Sequence, residues 1–488
     1  MIPVVDKRLR RAFSDAAKFA RRGGAQRGAG SMVLRDYQVS GVRDILDWAT
    51  TRPDGRLLFV VPPGGGKTLI VATTLRLLVA VGLKILVVAH RREIIGQHYD
   101  HLIACGMDPS MVGVIMGSDE RSNPDAFVQI ASIDTLNRRR NRWPDVQVVV
   151  TDEAHHDASD TRRRLRAHYG HAFRLGITAT PHRLDGRGLA ADFDEMIVGS
   201  TMSALIAARY LATPRTFTVP EELLPDVRRV PISRGDYELV ALSRAVCRRN
   251  LIGGIVEHQQ RLATDLATIV FAASIQHSKL IAKAFRAAGV LAEHLDGDVA
   301  PGDRDAMLAA FDRGLLQIIS CCNILAEGWD SGRCKCIVQA RPTMSLNLHI
   351  QQVARCIRCW KGVVPVVLDH AGNALVHGLA HADQSWVLEE PLSGLAPRKA
   401  AVKVCPNPRC CALLPTSCKT CPECGTTILE KERVPEEIPG KLREYVPTRA
   451  DMNVDLERIR QFAQGKGLSE DWVQKVFAAK YDRYKEAV

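Results

Sequence analysis

The sequence predicts an α/β protein: two tandem lobes, each a parallel β-sheet covered by helices, then a small C-terminal cysteine-rich module and a helical tail. Three observations predict it. Short β-rich apolar runs alternate with longer helical patterns, and alternating β and α elements build parallel sheets. The alternation comes in two series, separated by polar turns near Thr213 to Asp236. A chain of 488 residues also exceeds what one ordinary core holds.

The first series has apolar runs at 57–61, 85–89, 127–131, 146–151 and 174–177, and the second at 268–272, 292–295, 317–320, 335–339 and 363–369. Runs this short and this continuously apolar read as strands buried on both faces. The expected boundaries are lobe 1 at 32–212, lobe 2 at 213–390, a linker at 391–402, the cysteine module at 403–428 and the tail at 429–488. In the tail, Ser469 is a suitable N-cap for a helix through Trp472, Val476 and Tyr481. Residues 1–31 carry eight basic side chains (Lys7, Arg8, Arg10, Arg11, Lys18, Arg21, Arg22, Arg27) against Asp6 and Asp15, half the net charge of the chain. They end in a Gly, Ala and Gln run, and read as a disordered basic arm or a start codon called too far upstream. No short-period repeat points to a solenoid.

The composition is 46% hydrophobic and 25% charged, which fits a soluble globular protein. The net charge of +12 favours a polyanion partner, because Lys and Arg that neutralise phosphates release counterions. No stretch resembles a membrane span or a secretory signal, so no membrane partner is expected. Fourteen cysteines without such a signal point to a reducing compartment, and the chain is read as cytoplasmic. Aromatic residues make up only 5% of the chain, which favours backbone tracking over base stacking. The clusters Arg138-Arg139-Arg140 with Arg142, and Arg162-Arg163-Arg164 with Arg166, fit phosphate contacts or a solvated face equally well.

Val61-Pro62-Pro63-Gly64-Gly65-Gly66-Lys67-Thr68 follows a strand and opens a helix, the context of a P-loop. Glycines let backbone N–H groups approach phosphate oxygens, and the helix N-terminus adds a favourable dipole. Lys67 would reach the β and γ phosphates of ATP and Thr68 would ligate Mg²⁺. Val61 stands where the general pattern has Gly. A glycine turn ahead of a helix explains the glycines, but not strand, loop and Lys-Thr together. Val148-Val149-Val150-Thr151-Asp152-Glu153-Ala154-His155 ends another buried strand. A carboxylate leaving a strand tip can hold Mg²⁺ through water, the role expected of Asp152, and Glu153 can orient or deprotonate the attacking water. On the other lobe Gln351, Arg355 and Arg358 fall at i, i+4 and i+7, on one helix face. Two guanidiniums there could clamp charge developing on the γ-phosphate. In isolation the same spacing fits a solvated basic helix edge.

With these residues in view the chain resembles the superfamily 2 helicases. Asp152-Glu153-Ala154-His155 spells their DEAH box. Leu34-Arg35-Asp36-Tyr37-Gln38 resembles the adenine-reading element, in which Gln38 would hydrogen-bond the base. Val88-Ala89-His90-Arg91-Arg92-Glu93 and Ile130-Ala131-Ser132-Ile133-Asp134-Thr135 resemble backbone-contact motifs, and Thr178-Ala179-Thr180-Pro181 resembles motif III. Phe271-Ala272-Ala273-Ser274 resembles motif IV. Asn323-Ile324-Leu325-Ala326-Glu327-Gly328-Trp329-Asp330 resembles motif V, in which Gly328 and Asp330 would lie near the nucleotide. Gln351 to Arg358 resembles motif VI, with Ala354 where Gly is common. Leu368-Asp369-His370-Ala371-Gly372-Asn373, followed by His377-Gly378, resembles a signature of RadD-like bacterial helicases, which act in DNA repair. The core is also similar to the motor of type III restriction Res subunits. The resemblance implies two RecA-like lobes, an ATP-binding one and a helicase C-terminal one.

Cys405-x₄-Cys410 and Cys421-x₂-Cys424 flank a ten-residue loop and look like a zinc ribbon, four thiolates holding a structural Zn²⁺. Cys411 or Cys418 could replace Cys410 by spacing alone. The remaining cysteines (Cys105, Cys247, Cys321, Cys322, Cys334, Cys336, Cys356, Cys359) read as core or incidental thiols.

The expected function is an ATP-dependent DNA helicase or translocase in DNA repair or recombination, with ATP, Mg²⁺ and structural Zn²⁺ as cofactors. DNA is favoured over RNA, and the C-terminal region is a candidate contact for repair proteins. Alternatives are the motor subunit of a restriction system, an RNA helicase, and an ATP-gated nucleic-acid clamp or scaffold.

Overall fold

The structure is a computed structural model. It describes residues 7–24; 33–389 except 91, 118, 140–142, 157–159, 183–187, 221–222, 234, 248, 330 and 360–361; 402–428; and 453, 456–457, 459–460, 463–464 and 469–481. The chain divides into one compact unit through Ile428 and a second, Leu429–Val488.

Lobe 1 is built on seven strands: β1 (Arg56–Val60), β2 (Ile85–Ala89), β3 (Val112–Ile115), β4 (Val128–Ser132), β5 (Val148–Asp152), β6 (Phe173–Thr178) and β7 (Glu195–Val198). Their order is β3-β4-β2-β5-β6-β1-β7, every pairing parallel. β2 sits mid-sheet with all five side chains buried, as a Val/Ile/Leu run covered on both faces requires. Two strands escaped the sequence reading. β3 is four residues long and interrupted by Gly113. β7 is an edge strand whose side chains are exposed or half-buried, so it lacks an apolar run.

The amino-terminal segment corrects the expectation of a disordered arm. Lys7–Phe19 is a helix (α1), continued by a π-helical turn at Ala20–Gly24. Leu9, Phe13, Ala16, Ala17 and Ala20 are buried in the lobe 1 core. Phe13 meets Phe173 edge-on at 5.1 Å, and Arg21 Nη2 pairs with Asp47 Oδ1 at 2.6 Å. The apolar residues recur at helical spacing, an amphipathic stripe that the basic composition concealed. Residues 25–32 fall outside the described residues.

Helices α2 (Asp36–Thr51), α3 (Lys67–Ala80) and α4 (Arg92–Ala104) complete the part of lobe 1 that forms the site. In lobe 2, β8 (Arg215–Thr218) is followed by a two-residue-per-strand hairpin, β9 (Ile232–Ser233) and β10 (Asp236–Tyr237). Then come β11 (Ala267–Phe271), β12 (Ala292–Leu295), β13 (Ile318–Cys321), β14 (Cys334–Gln339) and β15 (Val366–Asp369). The parallel order is β12-β13-β11-β14-β15-β8. β8, with Phe217 its one large apolar side chain, lies in the stretch read as polar turns.

After β15 the chain returns to lobe 1. Leu388 O accepts the N–H groups of Leu189 (2.7 Å) and Ala190 (3.0 Å). Trp386 packs against a cluster of Leu58, Val60, Ala154, Leu189 and Phe193. Asp383 Oδ1 accepts from Ser203 N at 2.8 Å, tying the returning segment to the helix Met202–Ala207 that links the lobes.

The cysteine module is not a free-standing bead. Its strands β16 (Val402–Val404) and β17 (Leu413–Pro415) pair antiparallel, and Ala412 bridges antiparallel to Phe217 on the edge strand β8. Cys405, Cys410, Ala412, Leu414 and Cys421 share one core cluster with Phe217, Ile255, Val270 and Ile281 of lobe 2. Arg215 Nε donates to Glu423 Oε2 at 2.6 Å. In the second unit, the helix Glu470–Tyr481 starts after Ser469, whose Oγ accepts from Trp472 N at 3.3 Å. No described helix is long and apolar enough to cross a membrane.

Candidate nucleotide site and metal centre

β1 delivers the chain to a loop that α3 closes. Gly64 and Gly66 take φ of +78° and +73°, left-handed values that favour glycine. A Cβ on Gly66 would also collide with Gln38 Nε2. Gln38 is held at both ends of its amide: Arg35 N donates to its Oε1 at 2.9 Å and its Nε2 donates to Gly65 O at 3.5 Å, a carbonyl that also accepts from Tyr37 Oη at 2.7 Å. Lys67, the first residue of α3, donates from Nζ to Glu153 Oε1 at 2.8 Å.

Asp152 is the last residue of β5, and Glu153 follows with φ +48°. A left-handed Glu is strained backbone of a kind that clusters at functional sites. Asp152 Oδ1 accepts from Glu153 N at 2.8 Å, and His98 Nε2 lies 2.9 Å from Asp152 Oδ2. Burial alone would raise Asp152. The hydrogen bond and charge of His98, and the Lys67 charge, outweigh it and hold the carboxyl well below the usual range. Burial would likewise lower Lys67, but Glu153 and Asp152 prevail and its pKa is raised. Both groups are therefore ionised at neutral pH, the state that phosphate contact by a lysine and metal binding by a carboxylate would require. His155 Nδ1 reaches Thr178 Oγ1 at 3.0 Å, and Thr178 Oγ1 accepts from Thr180 N at 3.1 Å, which joins the DEAH turn to the Thr178–Pro181 segment.

Lobe 2 supplies the facing wall. The helix Leu346–Val353 ends before Arg355 and Arg358, so only Gln351 lies within it. Arg355 Nε donates to Gln351 O at 3.2 Å, and its Nη1 donates to Trp329 O. Arg358 packs by the P-loop: a Cβ on Gly64 would sit 3.8 Å from its Cγ. Burial pushes the Arg358 guanidinium down to about 10, still charged at neutral pH. Gln38, Gly64, Gly66, Lys67, Thr68, Asp152, Glu153, Gly328, Gln351, Arg355 and Arg358 thus border one cleft of about 600 Å³, within the roughly 300–1,000 Å³ of small-molecule sites. Gly65 contributes its backbone to the loop. Asp330 lies outside the described residues.

Some contacts had no signal in the sequence. Gln97 and His98, adjacent on α4, follow the His90–Glu93 motif with no motif of their own. Gln97 Nε2 donates across the cleft to Gly328 O at 2.7 Å, while His98 turns to Asp152. Glu327 Oε2 of lobe 2 lies 3.3 Å from His90 Nε2 of lobe 1. Arg35 stacks 3.9 Å above the Tyr210 ring beside the Gln38 end of the cleft. In the signature after motif VI, the Asp369 carboxylate accepts from the N–H groups of Ala371 (3.1 Å), Asn373 (3.1 Å) and Ala374 (2.7 Å), so it shapes the turn. Of the basic clusters, Arg166 pairs with Asp192 and Arg139 donates to Gly117 O at 2.9 Å. Arg140 and Arg142 lie outside the described residues, as does the Arg162 side chain.

At the cysteine module, the Sγ atoms of Cys405, Cys410, Cys421 and Cys424 lie within 4.8 Å of one another. Cys405 and Cys424 are 3.6 Å apart, and Cys410 and Cys421 3.8 Å. Tetrahedral Zn–S bonds of about 2.3 Å put sulfurs about 3.8 Å apart, so the set fits Zn²⁺. Cys411 and Cys418 turn away: their sulfurs contact Pro408 O (3.2 Å) and Thr420 O (3.0 Å). That removes the ambiguity left by spacing.

Comparison with known proteins matches residues 31–183 to the res subunit of type III restriction enzymes and residues 251–359 to the helicase conserved C-terminal domain. A 51.5 kDa protein of Lactococcus phage (isolate 7-9) is 28% identical over 75% of this chain and 76% of its own length. IRC3 of Saccharomyces cerevisiae, named as an ATP-dependent helicase, is 26% identical over 67% of this chain. The match spans about half of that yeast relative, 49%. A fragment of an HsdR-type subunit of a type I restriction enzyme from Vibrio vulnificus YJ016 has the same fold, with TM-score 0.58 and 19% identity over 76% of this chain and 70% of that one.

Proposed function

We infer from its membership of helicase superfamily 2, with a core of the type III Res kind, that this chain is a DNA helicase or translocase driven by ATP. The chain is a nucleic-acid-dependent ATPase of that superfamily. The carrying observation is the two-sided cleft, in which Lys67, Asp152 and Glu153 of lobe 1 face Arg355 and Arg358 of lobe 2.

In this reading the P-loop amides and Lys67 bind the phosphates, and Gln38 meets the adenine edge. Thr68 and Asp152 would hold Mg²⁺, which supplies charge neutralisation to the phosphates when bound. Glu153, whose Oε2 is buried 3.5 Å from His155 Nδ1 with no hydrogen bond among the described residues, would orient the attacking water and take its proton. Lys67 shares Glu153 Oε1 in the structure, and the γ-phosphate would draw Lys67 off it. Arg355 and Arg358 close on the transferring phosphoryl group, a contribution of roughly 10³–10⁵ in rate. Loss of that anion releases the arginines, the lobes part, and the strand grip shifts. The Res-type core favours DNA over RNA. The Asp369–Asn373 signature favours a role in repair, while the same core keeps a restriction motor as the second reading. Cys405, Cys410, Cys421 and Cys424 would hold a structural Zn²⁺ closed to substrate.

The test is steady-state ATP hydrolysis by the full chain with no polymer, single-stranded DNA, forked duplex and RNA, beside Glu153→Gln. Several-fold stimulation by DNA over RNA, abolished in the variant, is the expected result. Stimulation by RNA alone overturns the DNA assignment. Equal turnover by Glu153→Gln overturns the role of Glu153.

A further inference from the structure

We propose that His98 is a positioning residue for the metal-binding carboxylate, and that it ties the Mg²⁺ site to the helix that senses lobe 2. The inference rests on the reading that Asp152 holds Mg²⁺ through its water shell.

Three observations carry it. The His98 side chain is 3% exposed, and its Nε2 sits 2.9 Å from Asp152 Oδ2, so the contact is sheltered from water. The other oxygen, Oδ1, is taken by Glu153 N at 2.8 Å. With the carboxylate ionised, Nε2 must be the protonated nitrogen, and the plane of the carboxylate is fixed by one donor on each oxygen. A carboxylate held this way meets a metal–water shell in one orientation. Outer-shell partners of this kind are worth about 10–100-fold in metal affinity or activity. The third observation is the neighbour. Gln97 Nε2 donates to Gly328 O of lobe 2 at 2.7 Å, and α4 itself starts in the segment resembling a strand-contact motif. Adjacent residues on one rigid helix therefore touch the opposite lobe and the carboxylate. Movement of lobe 2 that displaces Gln97 is transmitted to Asp152 through His98.

The experiment uses the full chain with His98→Leu, His98→Asn and His98→Gln. Leu removes the donor at similar volume. Asn keeps a polar amide too short to reach Asp152. Gln places an N–H near the position of Nε2. The primary readout is Mn²⁺ binding in the presence of ADP, followed by electron paramagnetic resonance, beside ADP binding without metal and a thermal melt. The expected result is a rise of about 10–100-fold in half-saturating Mn²⁺ for Leu and Asn, recovery in Gln, and unchanged metal-free ADP binding. Wild-type Mn²⁺ affinity in Leu or Asn, with a wild-type melt, overturns the proposal. If Leu melts early, Asn against Gln decides, and equal Mn²⁺ affinity of those two overturns it. Asp152→Asn is the control for the underlying reading: undiminished Mn²⁺ binding by that variant refutes Asp152 as a ligand, separately from any role of His98.

Discussion

Lowering the pH from 7 to 5 should selectively weaken lobe 2. His349 and His370 are buried and neutral, with pKa values pushed down by burial to about 3, and His277 to about 4. Unfolded histidine titrates near 6.5. The folded pKa is the lower one, so the unfolded chain takes up protons first. Stability is full above about pH 6.5 and is lost as pH falls toward the folded values. Each imidazole then removes about 2 kcal/mol between pH 7 and 5, about 6 kcal/mol for three. Asp369 works in the other direction. Burial raises its carboxyl to about 6, so it protonates in the folded state first and returns about 1 kcal/mol. The net loss is on the order of 4–5 kcal/mol, a large part of the 5–15 kcal/mol that holds a domain together. Urea unfolding at the two pH values measures it. With a slope of about 2 kcal/mol per M, the midpoint falls by about 2 M. An unchanged midpoint refutes the reasoning. So does a His349→Asn variant that folds and keeps the whole pH difference, since removing about 2 of the net 4–5 kcal/mol should shrink that difference by nearly half.

Two further outcomes follow from packing and ligand geometry. Phe13→Ala should destabilise lobe 1 by about 3–5 kcal/mol, because a fully buried ring against Phe173 leaves a cavity; a thermal melt like wild type would show that α1 is dispensable. Cys405→Ser or Cys421→Ser should lose bound zinc by elemental analysis and loosen the Phe217 side of lobe 2, whereas Cys411→Ser and Cys418→Ser should retain one equivalent; zinc lost from the latter pair alone would reassign the ligands.

The parallel strands were legible because burial on both faces leaves an unbroken apolar run. β2 and β12 coincide with their sequence limits, and the other eight shift by up to three residues at an end. The candidate site was legible where its residues sit at strand tips: Lys67 after β1, and Asp152 and Glu153 at the end of β5. What stayed hidden depends on partners distant in sequence. β8 is a strand because β15 and Ala412 flank it, not because of its own residues. α1 is ordered because lobe 1 offers Phe173 and its neighbours to its apolar stripe, while its outer face keeps the charge that suggested disorder. His98 is 54 residues from Asp152, and Gln97 is 231 from Gly328, so no local pattern announces either. Cysteine spacing pointed to a four-thiolate cluster but allowed three choices at one corner, of which the fold brings Cys410 to the other three sulfurs.

The segment from Asp383 to Leu388 changes the mechanics of the two lobes. A pair of bodies on one flexible link can swing, shear and twist. Here a second link lies against the first, with Asp383 joined to Ser203 on the connecting helix and Trp386 packed against apolar clusters of both lobe 1 and lobe 2. Two adjacent pins define an axle. Rotation about it remains easy, while sliding and torsion must strip Trp386 from its apolar seat. A hinge of this kind favours one arc of relative lobe movement, along which the proposed loss of a phosphate contact would act repeatably.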